Sequence, residues 1–143
     1  MRRSFFILIF LAGCATPPGP EDKPAEPPPV VTAPAPHKEN VAVAGLLESA
    51  RSEAASGNLA NAAASLERAI RIEPRNPRLW HELARVRLKQ GQYAQAESVA
   101  ARSNSWAGDD RSLRADNWRL IAESRRARGD EEGAKAALDL SNR

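Results

Sequence analysis

The sequence predicts an all-α protein built from three stacked helix hairpins and preceded by a disordered, proline-rich tether. Three observations predict it. Gly57, Gly91 and Gly129 stand 34 and then 38 residues apart, and Ala62, Ala96 and Ala134 repeat at the same two intervals. Nine prolines crowd between Pro17 and Pro36, with almost no large apolar residue among them. A period of this length belongs to repeats made of one helix pair each, and a stretch that cannot bury apolar surface does not fold.

The chain has 143 residues, 11 of them Pro and only seven aromatic, so one modest domain is all it can build. Residues 1–13 read as a signal peptide. Arg2 and Arg3 precede the apolar run Phe5–Ala12, which is too short to span a bilayer as a permanent helix. The run ends in Leu11-Ala12-Gly13-Cys14, which resembles the bacterial lipobox. That resemblance implies cleavage before Cys14, a covalent lipid on its thiol as the only prosthetic group, and, with Ala15 rather than Asp in second place, delivery to the outer membrane on its periplasmic face. Two acyl chains anchor a protein stably, because each buried methylene contributes about 0.8 kcal/mol. A single cysteine also excludes an internal disulfide framework.

Residues 14–41 form the expected tether. At about 3.1 Å per residue in polyproline II, the segment from Ala15 to Asn40 reaches roughly 80 Å. Pro17 and Pro20, or Pro24 and Pro27, also have the spacing of a proline-recognition ligand, but a spacer explains the whole composition.

The folded domain is expected over residues 42–143, with repeats at about 43–76, 77–110 and 115–143. In the first, Leu46, Leu47, Ala50 and Ala54, then Leu59, Ala62, Ala63, Leu66, Ala69 and Ile70, follow helical spacing. Each glycine ends a helix in a left-handed cap, and Asn58 or Asp130 is placed to cap the next. Pro74 and Pro77 close the first pair. The four residues by which the second interval exceeds the first are expected in the connection around Gly108. Ser103 and Asn104 replace the usual small and apolar residues of the second pair, so Trp106, at the position Ile72 holds one repeat earlier, is expected to fill the core gap. In the last helix Ala134, Ala137 and Leu138 share a face and Lys135, Asp139 and Asn142 lie elsewhere, as in a helix that caps itself.

With Trp80 fourth in a 34-residue unit, Leu83, Ala84, Gly91, Tyr93 and Ala96 fall where tetratricopeptide repeats carry Leu, a small residue, Gly, an aromatic and Ala. The chain resembles that family, which implies a short right-handed solenoid whose first helices line a concave groove. Family positions then select Leu47, Leu88 and Glu123 together with the candidate partner-binding residues Arg51, Arg78, His81, Arg85, Lys89, Arg119 and Arg126. The first helices carry minus one over residues 43–57, plus three over 77–91 and plus four over 111–128, so the groove should be basic with apolar patches. Leu47 and Asp116 stand where the family's chaperone-binding members have Lys, so that clamp is not reproduced.

Chemistry is hard to assemble from this chain. His37 and His81 are its only histidines, its cysteine is expected to be lipidated, and its glycines stand singly. No metal cluster, acid-base pair or phosphate-cradling loop follows from such residues, and an enzyme is not expected. Without Arg2 and Arg3 the 21 basic residues fall to 19 against 18 acidic ones, a balance that argues against nucleic-acid binding on bulk charge. A lipid anchor, a long tether and a small repeat domain resemble the lipoprotein activators of class A penicillin-binding proteins. The resemblance implies an envelope protein as partner and a role in peptidoglycan synthesis. Two other readings stay open: an assembly pilot for an outer-membrane machine such as a secretin, and a module whose basic groove binds anionic peptidoglycan directly.

Overall fold

The computed structural model describes residues 40–143; the expected signal segment, Cys14, His37 and nearly all of the tether lie outside the described residues. Six helices follow one another: α1 (Val41–Ala55), α2 (Leu59–Ile72), α3 (Pro77–Lys89), α4 (Tyr93–Trp106), α5 (Arg111–Ala127) and α6 (Glu131–Ser141). They pack as the hairpins α1/α2, α3/α4 and α5/α6, with α2 against α3 and α4 against α5, so the three hairpins stack as a short solenoid with no strand among the described residues.

Each hairpin turns on glycine. Gly91 has φ +72°, its N–H reaches the Leu88 carbonyl at 2.9 Å, and the Gln92 N–H reaches the Arg87 carbonyl at 2.9 Å. These two bonds satisfy carbonyls that α3 would otherwise leave open, and only glycine enters that backbone region without a steric penalty. Gly57 and Gly129 repeat the arrangement. Asp130 caps α6 by accepting from the Gly133 N–H at 2.8 Å, whereas Asn58 makes no side-chain cap on α2. Pro77 opens α3 at its first turn, where no intrahelical N–H is needed, and Asn76 accepts from the Arg78 N–H at 3.1 Å.

The four extra residues of the third repeat are not in a loop. The two inter-hairpin connections, 73–76 and 107–110, have the same length, and α5 has 17 residues where α3 has 13. The insertion is one additional helical turn at the start of α5, held by the Asp110 carboxylate accepting from the Leu113 N–H at 3.0 Å and by Arg114 donating to the Gly108 carbonyl.

Alanines set the packing distance. Ala62, Ala96 and Ala134 are fully buried at the hairpin crossings, and Ala69, Ala84, Ala100 and Ala137 are buried beside them. Two apolar clusters result, one joining the first hairpin to α3 around Leu66, Leu79 and Leu83, the other joining α4, α5 and α6 around Ala100, Ile121 and Ala137. Ala96→Leu is expected to overpack its crossing and destabilise the domain by about 1–3 kcal/mol. A chemical-denaturation midpoint equal to that of the parent would mean the crossing has room to spare.

Trp106 does not fill a core gap. It is 38% exposed, and Ile72, at the same place one repeat earlier, is 45% exposed. Asn104 is instead held by a hydrogen bond, its oxygen accepting from the Asn117 amide at 2.9 Å. In α6, Ala134 and Ala137 are buried while Lys135 and Asp139 face solvent, and Leu140 is 38% exposed.

Candidate partner-binding groove

Successive first helices place Arg51 on α1 and Arg85 and Lys89 on α3 around one cleft. Its volume is about 260 Å³ and its floor is apolar, formed by Leu47, Ala50, Ala54, Leu66 and Val86. A cavity of about 150 Å³ already holds a benzene ring, so this cleft can take a large side chain of a partner. The rim carries one carboxylate. Glu82 accepts from Arg51 at 3.3 Å and from Arg85 at 3.2 Å, while Lys89 has no ion pair among the described residues. Three cations against one carboxylate leave the rim positive.

The other expected groove residues divide. Arg119 pairs with Asp116 one turn earlier at 2.7 Å, and Arg126 approaches Glu131 at 3.7 Å. Both are exposed, so such pairs contribute only about 0–1 kcal/mol, but they lower the charge on offer. Arg78 lies exposed at the start of α3, away from the cleft.

His81 is engaged within the protein. Its Nδ1 lies 2.8 Å from Asn117 Oδ1, and Asn117 Nδ2 donates to Ser103 Oγ at 2.8 Å and to Asn104 Oδ1 at 2.9 Å. Ser103 Oγ in turn donates to the Pro77 carbonyl at 2.8 Å. Because the Asn117 amide nitrogen faces two acceptors, its oxygen faces the ring, which assigns the proton to His81 Nδ1. Asn117 and Ser103 are fully buried, so this network ties α3, α4 and α5 together where the two apolar clusters meet. Sequence reasoning marked Ser103 and Asn104 as departures from the repeat pattern but missed Asn117. The signal was there: Asn117 precedes Trp118 as the buried Leu79 precedes Trp80.

Among the described residues no group of three or more His, Cys, Asp or Glu could hold a metal ion, and no helix is long and apolar enough to cross a membrane. The tetratricopeptide repeat family matches residues 53–122. The globular C-terminal domain of LpoP from P. aeruginosa, a solved structure, is 45% identical to this chain, with 73% of this chain and 98% of that one covered and a TM-score of 0.71. That identity, over nearly the whole of the solved domain, decides the family. The chain belongs to the LpoP family of tetratricopeptide-repeat proteins. No curated protein matches it. The domain is thus a protein-binding tetratricopeptide-repeat module resembling that of LpoP.

Proposed function

We propose that this protein is a lipoprotein of the outer membrane whose repeat domain reaches across the periplasm, engages a class A penicillin-binding protein through the groove, and activates it in peptidoglycan synthesis. The observation that carries the reading is the α1–α3 cleft, where an apolar floor lies under a rim of Arg51, Arg85 and Lys89 balanced only by Glu82. Such a cleft fits an acidic surface bearing one large apolar side chain. Membership of the LpoP family supports the reading, as does the order of lipobox-like segment, proline-rich stretch and repeat domain.

The anchor has its own test. Cys14→Ser is expected to remain unprocessed and without lipid, seen as a larger band that does not take up radiolabelled palmitate; a normally sized, outer-membrane-bound variant would contradict it. Pull-down with purified synthase beside purified sacculi tests the partner. Retention by the synthase is expected, and retention by sacculi alone would favour direct peptidoglycan binding. Deletion of residues 17–36 is expected to abolish activation in cells while leaving the domain's melting unchanged, and a scrambled segment of equal length should restore it. Failure of the scrambled segment would point to a proline motif read by sequence.

A further inference from the structure

Every first helix begins, and every second helix ends, at the same end of the repeats. The exposed large apolar side chains among the described residues are Val41, Ile72, Trp106 and Leu140. Val41 opens α1, Ile72 and Trp106 are the last residues of α2 and α4, and Leu140 is the last but one of α6. All four therefore share one edge of the stack. None of them lines the α1–α3 cleft or the hollow beside Trp80.

Arginine collects on the same edge. Arg71, Arg75, Arg78, Arg102, Arg111 and Arg114 lie in or next to the closing turns of α2 and α4 and the opening turns of α3 and α5, and they form no ion pair among the described residues. Against these six arginines stand Glu73, Asp109 and Asp110. Two of those carboxylates are already engaged, Glu73 with the Asn76 amide and Asp110 with the Leu113 N–H. The remaining arginines without an ion pair are Arg143, which follows α6 at this end with Asp139 one turn before it, and Arg68, one turn before Arg71. The opposite end, where the glycine turns lie, is neutralised from within: Arg87, Arg125, Arg126 and Arg128 pair there with Glu67, Glu97 and Glu131.

We infer that this edge seats the domain on an anionic phospholipid surface, that of the membrane holding its own anchor. Guanidinium groups are drawn to anionic headgroups and bind phosphate through paired hydrogen bonds, and tryptophan settles at headgroup level. Trp106 combines the two, since the Arg75 guanidinium lies 5.4 Å from the centre of its ring. Single apolar side chains spread over three hairpins, with arginines between them, suit a flat charged bilayer better than one inserted side chain.

The course of the chain selects the membrane. Residues 15–39 join α1 through Asn40, on this same edge, so the segment that leads to Cys14 leaves from the surface that meets the bilayer. A basic patch is also the kind of second signal that strengthens a lipid anchor. The inference rests on the anchor proposed at Cys14 and not on the choice of partner. Seating also orients the groove: Arg51, Arg85 and Lys89 lie in the second halves of α1 and α3, which turns the α1–α3 cleft away from the bilayer and toward a partner.

The test reconstitutes the full chain, as cells process it, into two kinds of nanodisc, one of phosphatidylcholine alone and one rich in phosphatidylglycerol. Both carry a phospholipid brominated near its headgroup, which quenches tryptophan at close range. Retention of the chain by both discs reads the anchor. Quenching reads the edge whether or not the anchor holds. It is expected to be stronger in phosphatidylglycerol discs by about twofold or more and to fall as salt rises. Trp106→Phe should remove much of it and Trp118→Phe little. Arg71→Glu with Arg111→Glu should cut it by about half or more, Arg71→Lys with Arg111→Lys should preserve it, and Arg85→Glu on the cleft rim should leave it unchanged. The inference is overturned if the two discs quench equally, if the Arg71 and Arg111 reversals leave quenching as it was, or if Trp106→Phe is quenched as strongly as the parent.

Discussion

Asn117→Ala is expected to destabilise the repeat domain by about 3 kcal/mol or more. Asn117 is fully buried, and its amide serves His81, Ser103 and Asn104 at once. Truncation removes three hydrogen bonds, leaves the Asn104 oxygen and the His81 Nδ1–H without partners, and opens a cavity. Each buried group deprived of its partner costs about 1–3 kcal/mol, and a partly satisfied network is worse than an apolar one. Ser103→Ala is expected to cost less, about 1–2 kcal/mol, because it removes two hydrogen bonds, from Asn117 and to the Pro77 carbonyl, rather than three. Denaturant unfolding of both variants decides this. A loss below about 1 kcal/mol for Asn117→Ala would mean that water or a repacked side chain replaces the amide.

The hairpins were legible in the sequence because their signals are local and steric. Gly57, Gly91 and Gly129 mark positions that need positive φ, Pro77 a helix start, and the recurring alanines a close crossing. The insertion was misplaced for a physical reason. Four residues are close to one helical turn of 3.6, so adding them to α5 keeps the apolar face in phase, and periodicity cannot tell a longer helix from a longer loop. Trp106 was misread because Asn104 suggested a core gap and the place of Ile72 a core position, whereas Ile72 is itself exposed.

Charge was legible along the helices but not across them. The Glu82–Arg85 pair follows from three-residue spacing on one helix, yet Arg51 reaches the same carboxylate from 31 residues away. His81 looked like a groove residue by position, but Asn117, 36 residues on, accounts for its Nδ1. Such long-range partners decide which side chains remain free for a ligand, and they emerge only when the hairpins stack.

The largest functional effect is expected at the α1–α3 cleft. Reversing Arg85 and Lys89 to Glu would set three carboxylates, Glu82 included, beside Arg51 and turn the rim from attractive to repulsive for an acidic surface. Arg119→Glu should matter less, because Arg119 already faces Asp116. Both changes lie on exposed side chains, so helical content and melting should stay close to those of the parent. The decisive measurement is the affinity of the Arg85→Glu, Lys89→Glu double variant for a purified class A penicillin-binding protein at moderate salt. We expect binding weaker by at least about thirtyfold, roughly 2 kcal/mol, beyond what exposed pairs supply; binding as tight as that of the parent would contradict the assignment of the groove as the synthase-binding surface.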